Sequence, residues 1–296
     1  MASAPSPAVF VGAPEPATSQ RQPAGVLVSW VEQLLSRLVP PHTDCLLKVS
    51  MDLGARVYDR GAGKLADALR LLDSAVNEID YDIVLEPDRD SSAFRGAWKS
   101  SARNARKIGE LAGEVTAWLE ANDPGVRRGI VELRMEQQRL REVLVHADLW
   151  LGEMWADLRQ RRPLEGDSAG LEKLRSLAAK ADALGARVRG LQAAGRAVEE
   201  GCVLAENVLA LRRALVQELV EVLQPRHAAW EQAVVRVVEA ADSVNWAGDI
   251  GPAQDEDAHL RSDIQRCMAG CDKLRHEEHA LQRCLVTTCE QLRAAL

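Results

Sequence analysis

The feature that most narrows what this chain can fold into is a run of residues spaced alternately four and three apart. It comprises Val126, Ile130, Leu133, Gln137, Leu140, Leu144, Ala147, Leu151, Met154 and Leu158, with Gln137 its one polar member. Such a seam lines one side of an α-helix and fits no strand, whose period is two. Charged residues fill much of the remainder, among them Arg127, Arg128, Glu132, Arg134, Glu136, Arg139, Arg141, Glu142, Glu153 and Asp157. The segment therefore carries one stripe that must be buried and a surround that keeps the rest in water. Gln137 is a candidate for fixing the register of whatever packs there.

Shorter helices are expected before it. Gly25 to Val39 places Val26, Val31, Leu34, Leu35 and Leu38 on one face, and Pro40 and Pro41 are expected to stop it. Thr43 or Asp44 can cap a second helix from Cys45 to Tyr58, with Leu46, Val49, Leu53 and Val57 inward. A third runs from Lys64 to Ile79 after Gly61 and Gly63. Those glycines and Lys64 lack the spacing of a phosphate loop and are a connection between helices. Tyr81 to Leu85 has some strand flavour, too little to assign a strand.

A long helix follows from Ala93 to Leu119, and Asn122, Asp123, Pro124 and Gly125 are expected to break it. It and the opening seam would then pack as an antiparallel hairpin. Past Pro163, the Gly166, Asp167 and Ser168 turn leads into Leu171 to Leu223, a stretch without proline. Gly185, Gly190, Gly195 and Gly201 each weaken that helix by up to about 1 kcal/mol relative to Ala, which marks a kink or a close neighbour. Pro225 marks a break or a bend before Trp230, Ala233, Val234, Val237 and Val238. Asn245 to Asp257 is expected to be the longest internal linker. The final helix shows a second seam: Leu260, Ile264, Cys267, Cys271, Leu274, Glu278, Leu281, Leu285, Thr288 and Leu292. As the helix beyond that linker, it is the expected recruiter of any partner.

The fold class is all-α, an elongated bundle of long antiparallel helices with coiled-coil seams. The expected division is a disordered Pro/Ala-rich tail over 1–24, short helices over 25–90, a long-helix core over 91–244, a linker over 245–258 and a heptad helix over 259–296. Composition agrees: 47% hydrophobic with only 4% aromatic favours helix over strand. A net charge of −7 with both signs mixed argues against a nucleic-acid partner. The first residues have neither the basic start nor the apolar core of a secretory signal, and no later stretch is apolar enough to span a membrane. A cytoplasmic location is the expectation.

Metal-ligand types concentrate in the final helix: Cys267, Cys271, His276, His279, Cys284 and Cys289. Thiolate and imidazole suit zinc or a thiophilic metalloid, but the spacing is not that of a zinc finger or ribbon. Cys267 and Cys271 fall on the seam, where a free thiol serves as a small hydrophobe. Cys45 and Cys202 stand alone, and no catalytic or cofactor-binding residue is assigned. Of the tryptophans, Trp98, Trp118, Trp150, Trp155 and Trp230 are expected to fill helix crossings, with a partner surface at Trp150 and Trp155 as the alternative.

Glu136, Gln137, Gln138, Arg139 and Leu140 within the charged seam, the turn broken by Pro163 and the long Ala-rich helix with Glu206, Asn207 and Leu211 together resemble the TelA-like toxic-anion (tellurite) resistance family. Ser29 to Leu38, Thr43-Asp44 and Asp52-Leu53-Gly54-Ala55 are also similar to it, over roughly Val26 to Val238. The resemblance implies a cytoplasmic helical protein of bacterial stress or metalloid resistance and transfers no active site. The expected function is a non-enzymatic scaffold or adaptor acting through protein contacts. The alternatives are a metal or metalloid binder using the terminal cysteines and a cytoskeletal or effector scaffold. A seam is satisfied equally by its own chain or by a second copy, so a homo-oligomer stays open.

Overall fold

The computed structural model describes residues 23–57, 62–81, 92–161, 168–241 and 250–295. Its helices are α1 (Ala24–Arg37), α2 (Val39–Val57), α3 (Ala62–Asn77), α4 (Ser92–Gln160), α5 (Ser168–Gln217), α6 (Gln224–Ala241) and α7 (Gly251–Ala295). A six-residue π-helical stretch, Glu218–Leu223, joins α5 to α6. Among the described residues there is no strand.

These elements make four rods. Helices α1 to α3 run end to end as the first, antiparallel to α4. Ala24 N–H donates to Asp157 Oδ2 at 2.8 Å, His42 Nδ1 meets Glu136 Oε2 at 2.7 Å, and Asn104 Nδ2 donates to the Leu71 carbonyl at 3.1 Å. The residue numbers rise along one rod while they fall along the other. The third rod, α5 to α6, is antiparallel to α4: Gln137 Nε2 donates to the Gly195 carbonyl at 3.1 Å, and Arg134 pairs with Glu199 and Glu206. The fourth, α7, returns along α5, with Cys284 Sγ against the Ala197 carbonyl at 3.3 Å and Arg266 on Glu218 at 2.9 Å. It also closes on the first rod, most extensively against α3. The result is an up-down-up-down bundle around one continuous core.

The hairpin expected around Pro124 does not exist, since α4 is one helix of 69 residues that passes through it. Leu119 and Val126, on either side, are both buried and seven residues apart, so the stripe keeps its phase across the proline. Pro124 and Glu120 both lie on the exposed side, where water can satisfy the carbonyl that the missing N–H leaves open.

The first helix ends at Arg37, just before Pro40 and Pro41, but the second begins at Val39 and not at Cys45. Both prolines fall in the first turn of α2, where a missing N–H costs nothing, and Thr43 is a buried residue within that helix, its hydroxyl donating to the Val39 and Pro40 carbonyls. The π-helical stretch resolves the choice at Pro225: the chain continues, with Gln224 N–H reaching back to the Leu219 carbonyl. Of the α5 glycines, Gly201 lies nearest a neighbouring helix, where an added Cβ would be 3.4 Å from Leu285 of α7.

The expected linker is partly helical. Helix α7 begins at Gly251, so Asp255, Glu256 and Asp257 lie in its first two turns, while 242–249 fall outside the described residues. At the start of the chain, Pro23 and Ala24 belong to the fold, with Ala24 fully buried, whereas Leu27 and Val28 take the inward positions that Val26 was expected to share. The tail over 1–22 and the stretch from Asp82 to Leu85 lie outside the described residues.

Candidate functional site

The terminal seam is spent inside the bundle. Leu260, Ile264, Cys267, Cys271, Leu274, Leu281, Leu285, Thr288 and Leu292 are all buried, chiefly against α5 and the first rod. Most of the α7 seam is therefore already covered within the chain. The ligand-type side chains of that helix also fail to converge. Cys267 and Cys289 sit 22 residues apart on one straight element, about 33 Å along its axis. His276 and His279 face outward, away from Cys267 and Cys271. Among the described residues no group of three or more His, Cys, Asp or Glu side chains comes together as a metal site would need.

Burial pushes the thiols of Cys267 and Cys271 up to about 12, as it does that of Cys202 in α5. Those of Cys45, Cys284 and Cys289 are also raised by burial, with nearby carboxylates adding to it. A thiol held protonated is a poor nucleophile and a poor metal ligand at neutral pH.

Two polar assemblies and a groove stand out among the described residues. The first assembly sits at mid-bundle and draws on all four rods. Arg212 of α5, 4% exposed, pairs through Nη2 with Glu278 Oε1 of α7 at 2.5 Å and donates to the Val57 carbonyl at the end of α2 at 2.8 Å. Its guanidinium also stacks over the Trp118 ring of α4 at 4.4 Å. One arginine thus caps a helix terminus, neutralises a buried carboxylate and covers an aromatic face. Both charges occupy core-facing positions of their helices, Glu278 on the seam itself, and that is the sequence signal for them: a charge in a seam needs an opposite charge facing it.

The second assembly closes one end. Trp230, fully buried in α6, donates from Nε1 to the Tyr81 hydroxyl at 3.0 Å, and that hydroxyl donates to the Ala253 carbonyl of α7 at 3.4 Å. Asp257 and Arg261 pair beside it at 2.6 Å. Burial and then the Asp257 charge push the Tyr81 phenol up to about 12. Burial raises the Asp257 carboxyl against the opposing pull of Arg261, and burial lowers His227, whose ring lies 5.4 Å from Trp230. These contacts make a clasp between Tyr81, which follows α3, and helices α6 and α7.

The groove lies between α2 and the second half of α7, where the first and fourth rods stand apart. It encloses about 660 Å³ and is lined by Ser50, Met51 and Gly54 from α2 and by Leu281, Leu285 and Val286 from α7. Met51 and Val286 are 58% and 52% exposed. The Ser50 hydroxyl is buried there without a hydrogen-bond partner. Arg275, His279 and Arg293 border it from α7, against Glu290 and the already neutralised Glu278. Its α7 residues extend over 18 positions, about 27 Å. Of the expected ligand residues, only His279 and Cys289 line it.

Among the described residues the tryptophans pack: Trp150 tilts against Trp30 with ring centroids 5.6 Å apart, and Trp98, Trp118 and Trp155 lie partly buried against the core. Comparison with protein-family models, with curated proteins and with solved structures finds no match to this chain.

Proposed function

We propose that this chain is a non-enzymatic helical scaffold or adaptor, working in the cytoplasm, that docks a protein segment in the groove between α2 and α7. The groove itself carries the reading. Its apolar floor, its exposed Met51 and Val286 and its length of about 27 Å suit one face of an amphipathic helix of about five turns. The arginines at its two ends favour a segment with acidic flanks, and the Ser50 hydroxyl offers one directional contact within. The remaining apolar surface of α7 is already taken up by the bundle, so the groove is where this helix can still act.

We propose, on the resemblance to the TelA-like family alone, that this scaffold serves bacterial tolerance of tellurite or a related toxic anion. The scattered, protonated thiols favour such a role over direct sequestration of the anion.

A photo-reactive residue at Val286, introduced in the native host, tests the docking. A discrete cross-linked protein is expected, and Met51→Glu with Arg275→Glu should abolish it. Absence of any adduct, or an adduct indifferent to both substitutions, would remove the groove as a docking site. Growth on tellurite of a strain lacking the chain, complemented by the parent or by the same double variant, tests the setting. Unchanged tolerance on deletion would refute the resistance role and leave the docking result standing.

A further inference from the structure

Helix α4 carries a second stripe that the core does not use. On its outward face Val131, Met135, Val145 and Leu149 are 55%, 50%, 49% and 61% exposed. Gln138 and Glu142, both exposed, complete a run spaced four, three, four, three and four. At about 100° per residue these six side chains fall within roughly 80° of arc, one straight band about 27 Å long. Exposed apolar residues scattered singly need no explanation, but four of them in a band at seam spacing do.

The band has a mirrored order about residue 140. Val131 and Leu149 lie equally far from that point, as do Met135 and Val145, and as do Gln138 and Glu142. A twofold interface requires that if one residue meets another, the reverse contact is made as well. Two copies of this helix laid antiparallel and centred at residue 140 satisfy it throughout. Val131 meets Leu149 of the second copy, Met135 meets its Val145, and Gln138 presents its amide to the carboxylate of its Glu142, each contact occurring twice. At present Gln138 Nε2 donates to Glu142 Oε1 of its own helix at 3.1 Å, so the same donor and acceptor exchange partners across the dyad.

Beside the band, Glu132 faces His146 of the second copy, while Arg134 and Asp148 stay with Glu199, Glu206 and Gln192 of α5 in their own chain. The two Arg141 side chains come together on one flank of the dyad, each about a turn from Glu142 of the other copy, and the two Arg139 side chains on the other flank, each beside its own Glu136. A parallel pairing would instead set Glu142 against Glu142 and Gln138 against Gln138.

We infer that the chain self-associates as an antiparallel twofold dimer through the outer face of α4, with the axis at residue 140. This surface lies on a different rod from the α2–α7 groove and does not depend on it. Because residue 140 is well off the middle of α4, the ends bearing Ser92 project past one another. One chain is about 100 Å long, and the dimer would be about 140 Å.

Analytical ultracentrifugation of the full chain over a range of concentrations, with X-ray scattering on the same samples, tests this. A monomer–dimer equilibrium is expected, with the longest dimension growing to about 140 Å as dimer accumulates. Met135→Glu and Val145→Glu, at exposed positions that spare the core, should each weaken association at least tenfold while far-ultraviolet circular dichroism and melting stay unchanged. Gln138→Glu, which opposes two carboxylates, should weaken it, and Gln138→Lys should not. A monomer at every concentration, a dimer indifferent to the two Glu substitutions in the apolar band, or a dimer that stays about 100 Å long would each overturn the inference.

Discussion

Arg212 shows how much one buried charge can hold. Its partners come from α2, α4 and α7, and the charge is bearable in the core only because Glu278 neutralises it while the Val57 carbonyl accepts a further hydrogen bond. Truncation by Arg212→Leu removes the buried guanidinium that pairs with Glu278 and is expected to cost about 3–5 kcal/mol. Combining it with Glu278→Leu removes the buried carboxylate as well and should recover most of that loss. Urea unfolding of the parent, the single and the double variant measures both, and equal losses in single and double variants would show that the ion pair is not what the core depends on. Glu278 was legible as a charged member of the terminal seam, and Arg212 only once the buried stripe of its helix was known. Their pairing was not, because they lie 66 residues apart and nothing local brings them together. The terminal cysteines show the converse: their residue types suggested a shared ligand, and a straight helix keeps them apart.

At the scale of the element, prolines taught most. Pro40, Pro124 and Pro225 are all expected to end or bend helices on local grounds, yet one lies in a first turn, one in mid-helix and one just after a π-helical stretch. The cost of an interior proline is about 3 kcal/mol, small beside the burial of the stripes that run on through α4. Pro124→Ala restores one backbone hydrogen bond on the exposed face and is expected to stabilise the chain by about 1–3 kcal/mol, read as a shift in the urea midpoint. A loss of stability would mean that the proline ring or the local helix geometry contributes to packing. The clue to continuity was present in the spacing from Leu119 to Val126, which steps across the proline without losing phase.

The whole molecule is an extended four-rod bundle at least as long as α4. Its 69 residues give about 100 Å at 1.5 Å per residue, and X-ray scattering at dilution is expected to return a longest dimension of at least that value. A dimension near 50 Å would mean that α4 folds back at Pro124 after all. No helix among the described residues is long and apolar enough to cross a membrane. By itself the sequence determined that this chain is helical, where most of the helices lie and which stripe of each must be hidden. Those properties come from the spacing of neighbours along the chain, and a helix expresses them without knowing what it will touch. Only the tertiary structure decided that α1 to α3 align as one rod, that the terminal seam is consumed internally, and that a groove and an outer band on α4 are left over. Those outcomes depend on which buried surfaces compete for one another across the bundle, a balance that no local window of residues contains.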